Sequence, residues 1–279
     1  MRNNQRRMGH APESTPTTSV PMAQQPAPLA FSAPTEFVEL PSRGEFYPDD
    51  HPFYKQEAVE IRFMTAKDED ILTSEALLKK NMALDRLIES LTLDDVDPSS
   101  LLVGDRNAIL IAARASAYGS DYPVTLRCEK CFSTSEVDYN LKEAQMQENC
   151  FDKDFLRENN IRFNRESLTF DVVLPSSGVE VGLQLIDGKK ERKLLERDNN
   201  KNLITGILAA FLTKVNGDTD YSRVMNFIDD MPAGDSKFLR DLFPTLAPNI
   251  NLSILHRCEA CFHVKEQEVP LTAAFFWPN

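Results

Sequence analysis

Glu36-Phe-Val-Glu-Leu40 alternates polar and apolar positions with the two-residue period of a β-strand, and Pro41-Ser-Arg-Gly44 then turns the chain. An excursion rich in aromatic residues and proline, Glu45 to Ala58, leads to a second alternating run, Val59 to Met64. Thr65 reads as a helix N-cap, because Asp68, Glu69 and Asp70 follow in the first turns, where negative charge meets the positive end of the helix dipole. This helix is expected to run through Lys80. Leu84, Leu87, Ile88 and Leu91 recur at helical spacing over Met82 to Leu91, and the acidic loop Asp94 to Ser100 separates that helix from a third. The third opens at Gly104-Asp105 and extends to about Tyr118. Its apolar and small residues cover most of the circumference, which predicts a central buried helix. Tyr122 to Leu126 and Ser133 to Tyr139 complete this half as the strands of a hairpin.

Lys142 to Asn160 is polar and predicts a helical connector. It carries Cys150, which has no second cysteine at ligand spacing and reads as a buried thiol. Beyond it the first half returns. Leu174-Pro-Ser-Ser-Gly178 echoes Leu40-Pro-Ser-Arg-Gly44, Val179 to Leu183 echoes Val59 to Phe63, and Gly234-Asp235 follows Gly104-Asp105 by 130 positions. A charged helix is expected at Lys189 to Arg197, an apolar one at Lys201 to Val215, and another at Tyr221 to Met231 with Asp220 as its N-cap. Ile250 to Leu255 and His263 to Val269 form the second hairpin. The shared order predicts an α+β fold made by internal duplication: tandem units at 36–141 and 161–279, joined by the connector 142–160, each running strand pair, helices, hairpin. The Phe275-Phe276-Trp277 stretch could pack on its own unit or insert into another subunit.

Each hairpin tip carries a CxxC, in Arg127-Cys128-Glu129-Lys130-Cys131-Phe132 and Arg257-Cys258-Glu259-Ala260-Cys261-Phe262, at the same offset of 130. Two residues between the cysteines let a tight turn aim both sulfurs and several backbone N–H groups at one metal. One pair cannot close a tetrahedral shell. Cys128, Cys131, Cys258 and Cys261 are therefore the expected ligands of one structural zinc ion per chain, shared between the units. The cost of closing the intervening loop grows only logarithmically with length, whereas structural zinc contributes an apparent ~10–16 kcal/mol in small zinc peptides. A disulfide framework belongs to small secreted chains, and a redox CxxC follows a strand and opens a helix, so both fit less well. His256 and His263 flank the second pair as neighbours of a shell that four thiolates already fill.

With 279 residues, 42% of them apolar, the chain has material for a real core. Residues 1–35, rich in Pro, Gln, Ser and Thr and without period, are expected to form a disordered tail. No apolar run approaches the roughly 20 residues of a membrane span, and the basic start is followed by polar sequence instead of an apolar signal core; a reducing cytoplasm is the expected compartment. The net charge of −12 argues against a phosphate-tracking surface. Arg127, Lys130, His256 and Arg257 nevertheless place positive charge at the knuckles, which keeps a zinc-ribbon nucleic-acid-binding or regulatory module as the alternative. Acidic groups such as Asp94, Asp95 and Asp97 fall where solvation accounts for them, and the sequence holds no HExxH, GxSxG or P-loop. No enzyme is expected.

Leu-Pro-Ser-Arg-Gly-Glu-Phe-Tyr-Pro at 40–48, the run from Val59 to Ser74, Gly104 to Leu110, Tyr118-Gly-Ser-Asp-Tyr122 and Cys128-x-x-Cys131 together resemble the baseplate hub protein family of T4-like contractile-tailed bacteriophages. The resemblance is strong over residues 36–141 and looser beyond. Glu129 and Phe132, with Glu259 and Phe262, depart from a family pattern that often has Pro after the first cysteine and Gly after the second. The resemblance implies a non-enzymatic component or assembly factor of the tail baseplate hub. Its expected partners are other hub or tail proteins, met in the host cytoplasm during assembly and in the virion if it is retained there.

Overall fold

The alternating runs at the start pair with each other: Thr35–Glu39 (β1) and Ala58–Arg62 (β2) are antiparallel, with Val38 opposite Val59. The computed structural model describes residues 33–196, 203–269 and 273–276, so the tail expected at 1–35 lies almost wholly outside the described residues, as do Arg197, Lys201 and Trp277. Helix α1 (Ala66–Thr73) starts after Thr65 as predicted, but it stops at Ser74 and a short α2 (Glu75–Lys79) begins anew. The Thr73 hydroxyl donates to the carbonyls of Glu69 and Asp70, a local bond that competes with helix continuation, and Ser74 is extended. Helix α3 (Ala83–Leu91) buries Leu87, Ile88 and Leu91. Helix α4 (Val103–Tyr118) buries residues around most of its circumference, which makes it the central helix of this half. Strands β3 (Asp121–Arg127) and β4 (Thr134–Asn140) form the first hairpin.

The connector is less helical than its composition suggested. Gln145–Gln147 is a strand (β5) and only Lys153–Glu158 is an α-helix (α5). Strands β6 (Ile161–Asn164), β7 (Thr169–Val173), β8 (Glu180–Leu183) and β9 (Leu212–Val215) make a four-stranded antiparallel meander. Between the last two lie α6 (Gly188–Glu196) and α7 (Leu203–Phe211). The apolar helix expected to reach Val215 thus ends at Phe211, because Leu212–Val215 gains more as the outer strand beside β8, with Asn216 and Gly217 turning the chain at positive φ. Helix α8 (Tyr221–Asp230) is capped by the Asp220 carboxylate, which accepts from the Arg223 amide, and α9 (Ala233–Leu246) follows. The strand expected over Ile250 to Leu255 is two strands with different partners. Asn249–Asn251 (β10) pairs with β5, and Ser253–Arg257 (β11) pairs with Val264–Glu268 (β12).

Buried apolar residues from both halves form one contiguous core. The excursion after Gly44 joins them: Phe46 packs against Phe151, Phe163 and Phe170, with ring centroids 5.1–5.3 Å apart. Arg106 of α4 bridges Asp85 of α3 at 2.5 Å and Glu191 of α6 at 2.6 Å. Arg114, fully buried in α4, donates to the carbonyl oxygens of Gly119 and Phe275, and the Phe275 ring meets Tyr122 edge-on. Phe275 and Phe276 are therefore core residues of their own chain.

Two turns are locked onto helix starts in the same manner. The Ser42 amide and hydroxyl donate to Asp105, at 3.0 and 2.5 Å, and the Tyr47 hydroxyl adds a third bond. In the second half the amides of Ser176 and Ser177 donate to Asp235 at 2.7 and 2.9 Å. Each Leu-Pro-Ser-x-Gly turn is thus held by the aspartate of a Gly-Asp pair in the first turn of α4 or α9, where the helix dipole also favours a carboxylate.

Gly44 and Gly178 share φ +68°, but a Cβ at Gly44 would lie 2.3 Å from the Phe53 carbonyl oxygen while one at Gly178 would meet nothing within 4 Å. Gly178→Ala is expected to cost ~1–2 kcal/mol from backbone strain alone, and Gly44→Ala a further ~1–3 kcal/mol from overpacking, read by urea denaturation. Asp68 accepts from Arg62, Thr65 and Ser90. Burial opposes its ionisation, yet the Arg62 guanidinium and the other donors hold its carboxyl far below the ordinary value. A depressed folded-state pKa means stability that is present above the unfolded value and lost on acidification. Asp68→Asn should therefore cost ~2 kcal/mol at neutral pH, with the gap to wild type closing as pH falls below about 4 in thermal melts.

Candidate metal centre

Both CxxC segments are tight turns at hairpin tips, and the same two hydrogen bonds close each. The Cys128 amide donates to the Ser133 carbonyl and the Phe132 amide to the Cys128 carbonyl; Cys258 with His263, and Phe262 with Cys258, repeat the pattern, all at 2.9 Å. The turn requires a left-handed residue after the second cysteine. Phe132 and Phe262 fill that role at φ +62° and +57°, the conformation for which glycine is usual. A side chain there costs ~1–2 kcal/mol, against which an exposed cation–π contact returns ~0.5–1 kcal/mol. Each ring does have such a contact, Arg127 over Phe132 at 5.0 Å and Arg257 over Phe262 at 5.3 Å.

The turns bring the four predicted thiols together. All four Sγ atoms lie within 4.8 Å of one another, with Cys128 and Cys261 separated by 3.7 Å and Cys131 and Cys258 by 3.5 Å. A tetrahedron of sulfurs about 2.3 Å from a central ion has edges of about 3.8 Å, so the set fits a four-thiolate metal site. These separations also exceed the ~2.05 Å of a disulfide. The first cysteine of each pair is buried, Cys261 is half-buried and Cys131 is exposed. Among the described residues this is the one place where three or more potential ligands of the Cys, His, Asp or Glu type converge, and neither histidine belongs to it. His256 is buried with Nε2 against the Ser135 hydroxyl at 3.0 Å.

The four thiols differ in their electrostatic surroundings. The Ser133 hydroxyl, 3.2 Å from Cys258 and 3.1 Å from Cys131, lowers both thiols, Cys258 to about 6. The His263 amide acts in the same direction on Cys261, but burial and the neighbouring thiols of Cys131, Cys128 and Cys258 push it up to about 12. Sulfurs this close cannot all carry negative charge unless a positive ion sits among them. Cys150 lies apart, buried, its thiol also pushed up to about 12 by burial. Sequence reasoning missed the Ser133 hydroxyl. The signal was faint, since the corresponding position in the second knuckle is His263.

Fold and thiol cluster together define an α+β protein in which two hairpin tips assemble a four-cysteine set suited to a metal. The chain belongs to the T4 bacteriophage base plate protein family, whose model matches residues 34–277 and so includes both knuckles. Neither a curated protein nor a solved structure matches it. It is a structural protein of a phage baseplate, a family whose role points away from catalysis and towards contact with other tail or baseplate proteins. No described helix is long and apolar enough to cross a membrane.

Cys258→Ser is expected to abolish tight metal binding, together with cooperative thermal unfolding, while His263→Gln leaves the metal content of the purified protein unchanged. Elemental analysis alongside calorimetry reads both.

Proposed function

We propose that the chain is a non-enzymatic structural or assembly protein of the baseplate hub, in which one zinc ion held by Cys128, Cys131, Cys258 and Cys261 sets the angle between two duplicated units. The observation that carries this reading is the convergence, in a chain of the base plate family, of two CxxC turns 130 residues apart on one thiol cluster. Four thiolates are soft donors that suit zinc, and a shell filled by protein leaves no open position for a substrate, as in structural sites. Such an ion supplies folding energy and rigidity.

Duplication accounts for the paired features more simply than separate origins. Both units have the same knuckle hydrogen bonds and the same seryl amide on the aspartate of the helix start, and the Gly-Asp pairs share the offset of the cysteines. We assign the units to 36–141 and 161–279, with 142–160 between them. The protein meets its partners in the host cytoplasm while the tail is built. A rigid pair of units would then present surfaces to hub proteins in one fixed orientation.

Co-expression with the other baseplate proteins of the same phage, followed by size-exclusion chromatography, is expected to show co-elution with at least one of them, lost on chelation or in Cys258→Ser. Binding to none of them would refute the reading. A salt-sensitive shift of DNA at submicromolar protein would favour the zinc-ribbon alternative instead.

A further inference from the structure

Ser133 is fixed by its backbone and acts through its side chain. Its carbonyl accepts the Cys128 amide at 2.9 Å and so closes the first knuckle. The hydroxyl takes no part in that closure. It lies 3.1 Å from Cys131 Sγ and 3.2 Å from Cys258 Sγ, and these two sulfurs are 3.5 Å apart. One oxygen therefore caps the edge between a sulfur of the first knuckle and a sulfur of the second. Serine hydroxyls in turns ordinarily bond to neighbouring backbone, whereas this one reaches a sulfur 125 positions downstream.

The two knuckles are unequal in this respect. His263 stands where Ser133 stands in the first, and its carbonyl likewise accepts the Cys258 amide at 2.9 Å. Among the described residues, however, its ring makes no hydrogen bond to a sulfur, and the 3.7 Å edge between Cys128 and Cys261 has no hydroxyl. The Ser133 hydroxyl also stands where the cluster meets solvent, since Cys131 is its one exposed member. The chemistry of a bound ion sets the direction of the bond. Thiolates that hold a metal carry no proton, so both sulfurs accept and the hydroxyl donates. Four thiolates around a divalent cation leave two net negative charges, and a donor shared by two of the sulfurs offsets part of that excess.

We propose that Ser133 is a positioning residue of the metal site: its hydroxyl, shared between Cys131 and Cys258, holds one sulfur from each knuckle at ligand spacing and stabilises their deprotonated, metal-bound form. This rests on the reading of the four cysteines as ligands of one zinc ion. The consequence is an ion gripped more firmly at its exposed edge than the thiolates alone would hold it. Hydrogen bonds from outer residues to metal ligands orient them, and their loss costs about 10–100-fold in affinity. Such a bond also lowers the energy of the sulfur lone pairs, which an absorption spectrum reads directly.

The test compares wild type with Ser133→Ala, and Ser133→Thr with Ser133→Val, a pair of one shape that differs by a hydroxyl; His263→Gln is the control in the second knuckle. Zinc affinity and release are followed by competition with a chromogenic chelator, and sulfur-to-metal charge-transfer absorption is recorded on the cobalt-substituted proteins. Ser133→Ala is expected to bind zinc about tenfold more weakly or worse and to release it faster by a similar factor. Its cobalt charge-transfer band should move to longer wavelength while the ligand-field bands stay tetrahedral. Ser133→Thr should keep wild-type values, Ser133→Val should follow Ser133→Ala, and His263→Gln should match wild type. If Ser133→Ala does not fold, the Thr and Val pair gives the same reading. Unchanged affinity, release and band position in Ser133→Ala and Ser133→Val overturn the proposal and leave the zinc reading intact. Weakened binding with an unmoved band, or with Thr and Val alike, also overturns it, since the residue then serves the turn alone. A wild-type protein that takes up neither zinc nor cobalt overturns the zinc reading itself, and the proposal with it.

Discussion

Four sulfur atoms from two distant turns share a volume a few ångströms across, and this crowding is the constraint to which the rest of the molecule answers. Thiols at such separations repel as they ionise, and hydrogen bonds from Ser133 ease only two of them. The hairpins reach this junction from positions 130 residues apart, so everything between must bring the chain back to the first of them. The Arg106 bridge to Glu191 and the packing of Phe46 against Phe163 and Phe170 tie one half to the other, antiparallel β5 and β10 tie the connector to the second, and together they hold that closure away from the sulfurs.

The buried aspartates Asp105 and Asp235 perform the corresponding task within each half. Each fixes a strand-leaving turn to the start of a long helix, and that helix leads into the knuckle hairpin. Their environments differ. Burial raises the Asp105 carboxyl despite donors from Ser42 and Tyr47, whereas burial of Asp235 is outweighed by the Ser176 and Ser177 amides, which keep it below its ordinary value. Similar connections are thus made with different electrostatics.

Much of this was legible in the residues. Local alternation located β1, β2 and the first hairpin, helical spacing located α3, the Asp220 cap marked the start of α8, and the shared offset of the two CxxC pairs pointed to one cluster of four cysteines. What stayed hidden depended on distant partners. Nothing local marks Gln145–Gln147 as a strand until Asn249–Asn251 lies beside it, and Leu212–Val215 reads as the end of an apolar helix until β8 offers an edge. The Leu-Pro-Ser-x-Gly and Gly-Asp motifs were each visible, but their union in one hydrogen-bonded lock spans about sixty residues and has no periodic signature. Phe132 and Phe262 looked like departures from a glycine rule; the backbone obeys that rule with the wrong residue in place.

The guanidinium of Arg114 finds one of its two carbonyl acceptors at Phe275, 161 positions downstream. A ribosome-bound chain that has emerged only through the first half therefore holds a cation in the middle of its principal helix with half of its acceptors still unmade. Burying that charge early would carry a desolvation cost of several kcal/mol (~) without full compensation. The interior of the first half is thus completed by a residue of the second, and the two halves share one set of buried contacts.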